Sequence, residues 1–279
     1  MIVTVQHHGG APGATTIASL LARHWPGEQP RTLVEADPAG GVLAARWHTA
    51  HGLRHEPGLL NLAAARTLTE HVVDEATQPL TEQLGVIVAP AAARPAATAI
   101  ELLIERHLPT FARLNRLLIV DLGRVRFDDP SLAAWEEVAA ARLVVCGNRL
   151  DDVTRLANDP DRKLGLMRQL IVREHGDGYP PEIVAAQIGI GLVGSIPDDP
   201  TAAHRMHGDG LHVGRRKHGN LHTAAGQIAQ TIANTLEAAH PPRTRRIPDA
   251  RPAPTPTLSA PVTGNPRFGR WPTRAAARR

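Results

Sequence analysis

The sequence predicts an α/β fold: a mainly parallel sheet of about seven strands with helices on both faces. Three observations predict it. Short apolar runs recur along residues 1 to 240, most of them closed by glycine, proline or an acidic residue. Stretches with apolar residues at helical spacing separate these runs, and strands that alternate with helices require crossover connections. The first run, Ile2 to His7, passes through a glycine-rich turn straight into a helix that opens on Thr15 and Thr16.

Composition sets the frame for these elements. Of 279 residues 42% are hydrophobic but only 3% are aromatic, so Ala, Val, Leu and Ile must fill the core. The single cysteine, Cys146, excludes an internal disulfide framework; within the run ARLVVCG it reads as a buried strand residue. Charge divides the chain in two. Residues 241 to 279 hold nine Arg, no Lys and one Asp, a net of +8, and the overall +4 therefore leaves −4 on residues 1 to 240. With nine prolines and no apolar periodicity, 241 to 279 is expected to be a disordered basic tail on a folded domain of residues 1 to 240. The apolar, uncharged stretch Ile183 to Ile196 is too short and too rich in glycine to span a bilayer, and a cytoplasmic protein is expected.

Strand, glycine-rich loop and helix N-terminus at residues 2 to 20 form an anion cradle. Loop N–H groups and the helix dipole favour phosphate, and glycine lets the main chain approach it. Read against G-x-x-x-x-G-K-[ST], the stretch His8 to Thr15 keeps the second glycine, Gly13, and the magnesium-binding hydroxyl, Thr15. It has His8 for the first glycine and Ala14 for the lysine. His7 and His8 precede the loop; either they only finish the strand and enter the turn, or a bound triphosphate raises an imidazole pKa and recruits its charge.

The second run, RTLVEADPAGG, sets Glu35 and Asp37 at the carboxyl end of a strand, where open α/β sheets bind their ligands. Residues 58 to 78 read as one or two helices, and LGVIVAP at 84 to 90 as a third strand before the helix ATAIELLIERHL. The fourth strand, RLLIVDLG at 116 to 123, carries Asp121 in the form of a Walker B strand, whose carboxylate holds Mg2+ beside a loop threonine. Further strands follow at 141 to 147, 168 to 174 and 190 to 196, with a helix opening at Asn148 to Asp152, another with Pro181 in its first turn, and a last one from Leu221 to Ala239. Five histidines, His204, His207, His212, His218 and His222, fall close together, but the glycines and arginines between them read as an exposed loop rather than a converging ligand set.

Together the N-terminal loop, EADPAGG, IVDLG and GSIPDDPTAAHRM resemble the MinD/ParA group of P-loop ATPases over residues 1 to 240. The resemblance implies that ATP and Mg2+ are bound. It places Gly9, Gly10, Gly13, Ala14, Thr15, Thr16 and Asp121 at the nucleotide, Thr15 and Asp121 at the metal, and Asp37 as the catalytic residue that positions water, with Glu35 at the first acidic position of that turn. Aligned without a gap, Gly9 stands where the group has the signature lysine that crosses a dimer interface, and Ala14 where it has the phosphate-binding lysine. The G-A-T-T ending is similar to the CpaE/TadZ branch, and GAPGATT with VEADPAGG to actinobacterial MinD-like proteins. One electrostatic contact that strengthens during the transfer is worth on the order of 10²–10³ in rate. The expectation is a nucleotide binder with weak or no ATPase activity.

The resemblance implies a positioning or partitioning factor that forms a homodimer and meets a protein partner. The alternative is a nucleotide-independent scaffold or adaptor of a secretion, pilus or conjugation system. The arginines of the tail suit non-specific contact with DNA phosphates, and Phe268 and Trp271 among them suit an anionic membrane; a plain solubilising extension is the third reading.

Overall fold

The computed structural model describes residues 1–10, 13–124, 129–159, 168–206 and 219–239. The proposed tail and its boundary at 240, His207, His212 and His218, and the loop residues Ala11 and Pro12 lie outside the described residues. Eight strands form one sheet: β1 (Ile2–His7), β2 (Arg31–Glu35), β3 (Gln78–Pro79), β4 (Leu84–Ile87), β5 (Leu117–Arg124), β6 (Ala141–Gly147), β7 (Arg168–Glu174) and β8 (Gly191–Pro197). Their order is β3-β4-β2-β5-β1-β6-β7-β8, and every pairing is parallel except that of β3 with β4. The additional strand is a two-residue antiparallel edge piece, and it ends at Pro79, which suits an edge because proline cannot donate to a ladder.

Side chains alternate across this sheet, and both faces are apolar, as expected where helices cover both sides. On one face Val3, Val5, Ile119 and Leu143 meet α1 (Ala14–His24), α2 (Leu43–His51) and α10 (Asn220–Ala239). On the other Val120, Leu122, Val144 and Cys146 meet α3 (Leu59–Ala64), α4 (Glu70–Ala76), α5 (Ala93–Phe111), α6 (Pro130–Val138), α7 (Leu150–Ala157) and α8 (Pro181–Ile188). A short helix, α9 (Pro200–Met206), follows β8. Cys146 is buried, as its apolar run predicts. No helix among the described residues is long and apolar enough to cross a membrane.

One element has its cap far away in sequence. No side chain adjacent to α2 caps it; instead Glu35 accepts the N–H groups of Val42 at 2.6 Å and Leu43 at 2.9 Å, and also that of Ala89 at 3.0 Å. A single buried carboxylate thus joins the end of β2, the start of α2 and the segment after β4. Burial raises the Glu35 pKa, and these three N–H donors work against the rise.

Strand order decides where chemistry can gather. β1 lies between β5 and β6; the chain leaves β1 toward β2 on one side and passes from β5 to β6 on the other. That reversal opens a crevice at the carboxyl end of β1, the position at which open α/β sheets take their ligands.

Candidate functional site

The loop after β1 feeds α1 through Gly13, whose φ of 85° is a left-handed conformation that glycine adopts without penalty. Gly13 carbonyl accepts the first helical bond, from Ile17 N–H at 2.9 Å, and no side chain caps the helix. The uncapped first turn thus directs the positive end of the helix dipole into the crevice. Ala14 is buried beneath the turn, while Thr15 and Thr16 are half-buried at its rim.

Asp121 faces the same turn from β5. Register sets Asp121 level with Val5 of β1 and Glu35 of β2, and its side chain lies on the α1 face, since Val120 and Leu122 belong to the opposite core. It is fully buried, with Oδ1 accepting the Gly123 N–H at 3.0 Å and Oδ2 left without a hydrogen-bond partner. Burial pushes its pKa up from 3.8 to about 7; the Thr15 hydroxyl and the Gly123 N–H oppose this, and the charges of Glu35 and Asp37 add to it. An unpaired oxygen on a buried carboxylate, beside a threonine hydroxyl at a helix N-terminus, is a donor set that fits a hard divalent cation.

The strand bends where Asp37 enters. Between Val5 and Gln6 the β1–β5 register shifts, so that Gln6 lies opposite Gly123, itself at φ 59°. The Asp37 carboxylate occupies the space that a Cβ on Gly123 would need, so only glycine fits there. Asp37 is fixed by the Ala39 N–H, donated to Oδ1 at 2.8 Å, and its turn is tied to β5 by the Ala36 N–H on the Asp121 carbonyl at 2.8 Å. Burial raises its pKa while the N–H groups of Ala39 and Arg124 restrain it. The structure therefore brings Thr15, Asp37 and Asp121 to one crevice. Glu35, of the same acidic turn, points away into its three N–H donors and serves the scaffold.

The two histidines before the loop lie in buried surroundings. Burial lowers the pKa of both His7 and His8, and His8 Nδ1 is 3.0 Å from Asp159 Oδ2. Of the later histidines, His222 Nδ1 meets His24 Nε2 at 2.8 Å, in a contact between α10 and α1.

Two arginines that sequence reasoning missed flank the loop. Arg173, at the end of β7, sends Nη1 to 4.0 Å from the Cβ position of Gly13, and its Nε and Nη2 donate to Asp198 Oδ1 at 3.0 and 2.5 Å. Asp198 also meets His175 Nδ1 at 2.6 Å. A cleft of about 80 Å3 lies between Gly13, Thr16, Arg173 and Pro197, too small to enclose a nucleoside. Arg155, on α7, lies over Gly9 and Gly10.

The fold resembles those of several solved structures. The ParA family ATPase from Chlorobium tepidum matches with a TM-score of 0.66 and 18% identity, over 82% of this chain and 97% of that one. The Pyrococcus furiosus cell division ATPase MinD matches with a TM-score of 0.65 and 16% identity, over 84% and 98%. The chain has the fold of the MinD/ParA ATPases. A second MinD, the septum site-determining protein of Pyrococcus horikoshii complexed with Mg-ADP, matches with a TM-score of 0.58 and 14% identity, over 84% and 97%. Neither a protein-family model nor a curated sequence matches the chain. At these identities the MinD/ParA likeness establishes the fold, including an α/β sheet built around the loop strand, and leaves function to the site itself.

Proposed function

We infer that this chain is a MinD/ParA-like nucleotide-binding protein that takes ATP with Mg2+ at the loop after β1, hydrolyses it weakly or not at all, and acts as a positioning or partitioning factor. The observation that carries this reading is the buried, unpartnered Oδ2 of Asp121 facing the α1 N-terminus beside Thr15. A buried carboxylate oxygen with no partner is costly, and a divalent cation relieves that cost. When bound, Mg2+ neutralises charge on the phosphates; Thr15 and Asp121 would hold it. Loop N–H groups and the first turn of α1 would hold the phosphates, with Gly9, Gly10, Gly13, Ala14 and Thr16 forming the cradle. Asp37, fixed at the crevice, would orient a water.

Support for nucleotide comes also from the fold, since one protein that shares it was solved complexed with Mg-ADP. Weak hydrolysis follows from Gly9 and Ala14, which put no cation inside the loop. A nucleotide-ordered homodimer that displays a surface to a protein partner, with the basic tail touching nucleoid DNA or an anionic membrane, completes the reading. Titration calorimetry of the full chain with ATP and Mg2+ tests it. Binding at micromolar to millimolar ATP that is lost in Thr15→Ala is expected; no binding by the unaltered protein would overturn it in favour of a nucleotide-independent scaffold. Phosphate release at the rate of an ordinary ATPase, abolished by Asp37→Ala, would refute the weak-hydrolysis half.

A further inference from the structure

We propose that Arg155 supplies, from α7 of the same chain, the phosphate-binding cation that the loop itself lacks. This rests on the nucleotide-binding reading above. A Cβ on Gly9 would collide with Arg155 Cδ and lie 3.0 Å from Nη1 and 3.3 Å from Nε, while Nη1 is 3.9 Å from the Cβ position of Gly10. The guanidinium arm thus fills the space into which any side chain at residue 9 would have to grow. A side chain at residue 9 would have to displace that arm.

Placement follows from topology. β6 is the neighbour of β1, so the helix that leaves β6 begins beside the loop that leaves β1. Leu156 and Val153 anchor α7 in the core, which turns Arg155 to the exposed face over the loop. Its counterpart across the loop, Arg173, has its charge engaged by Asp198 at 2.5 Å. Arg155 forms no salt bridge among the described residues; the acid that bears on it is Asp152, one helical turn earlier. Asp152 Oδ1 comes to 2.8 Å from the Cβ position of Gly10, so this carboxylate opposes an incoming phosphate where Arg155 attracts it. The two residues form a pair of opposite sign on one helix face, and arriving phosphate draws the arginine from its neighbour. A guanidinium offers a planar fork of donors suited to phosphate oxygens, which makes arginine at this place a functional substitute for a loop lysine.

The test is a set of variants of the full chain titrated with ATP and Mg2+ by calorimetry, each checked for folding by circular dichroism. Arg155→Ala is expected to weaken ATP binding at least about tenfold, the scale of a charged hydrogen bond, and Arg155→Lys to recover part of the loss. Asp152→Asn is expected to tighten binding. Arg149→Ala, which removes the same charge from the α7 N-cap, controls for long-range electrostatics and should change affinity less than twofold. If the unaltered chain binds ATP and Arg155→Ala binds it equally well, the role of Arg155 falls and the nucleotide reading stands; if the unaltered chain does not bind, both fall.

Discussion

Replacing Asp121 by Asn should make the ligand-free protein more stable and at the same time useless as a magnesium-nucleotide binder. The carboxyl is fully buried, and its pKa stands at about 7 against an ordinary value of 3.8. A folded-state pKa raised above the unfolded one means that the native state binds the proton more tightly, so this group costs the fold nothing below about pH 4 and progressively more as pH rises to 7. The displacement corresponds, at about 1.4 kcal/mol per pKa unit, to a penalty of about 4 kcal/mol once both states are ionised. Asn keeps an oxygen for the Gly123 N–H and carries no charge. Urea denaturation of both proteins without nucleotide should therefore show Asp121→Asn stabilising, by about 3 kcal/mol more at pH 8 than at pH 5. In the presence of ATP and Mg2+ the order should invert in one respect: the unaltered chain gains stability and the variant does not. A variant that is equally stable or less stable at pH 8, or an effect independent of pH, would refute the reasoning.

Arg168 and Glu136 form a buried pair, with Nε to Oε1 at 2.6 Å and Nη2 to Oε2 at 2.7 Å; Arg168→Met strands the Glu136 charge and should cost about 3–5 kcal/mol in urea denaturation, most of it regained in the double variant with Glu136→Leu. Burial works to raise the Asp198 pKa, but Arg173 and His175 more than offset it and hold the group below its ordinary 3.8. Its stabilisation is complete above that value and disappears as pH falls through the lower folded one, so Asp198→Asn should flatten the acid limb of the stability curve below about pH 4 without changing its slope near neutrality. Cys146 is buried and its thiol is pushed up to about 12 by burial and then by Asp152 and Asp151. A maleimide at pH 8 should accordingly label it only through unfolding, with labelling that accelerates in urea; rapid labelling of the native protein would contradict its place in the core.

Much of the architecture was legible because the long parallel strands are continuous apolar runs. β5, β6 and β7 fall within one residue of RLLIVDLG, ARLVVCG and RQLIVRE, and α1 ends at His24 as the following Pro-Gly implies. β3 was not legible, since two residues carry no periodicity. Nor was α2, whose cap is the Glu35 carboxylate seven residues upstream of Val42 rather than a neighbouring side chain. α6 does carry a signal in the sequence: Asp129, whose carboxylate accepts the Ser131 N–H at 2.8 Å, stands before Pro130. At the site, Thr15, Asp37 and Asp121 each stand after or within an apolar run, where a pattern can find them. Arg155 sits one turn inside a helix with no motif around it, and only the adjacency of β6 to β1, which sequence order does not reveal, brings it to the loop.

The Glu35 carboxylate has a consequence for motion. Val42, Leu43 and Ala89 hang their amide protons on one side chain, although they belong to two segments almost fifty residues apart. In a hydrogen-exchange experiment these three protons should behave as a single opening unit, released together when the carboxylate lets go. The turn that carries Asp37 begins at that same residue, so an opening that frees the Glu35 carboxylate should loosen the Asp37 turn with it.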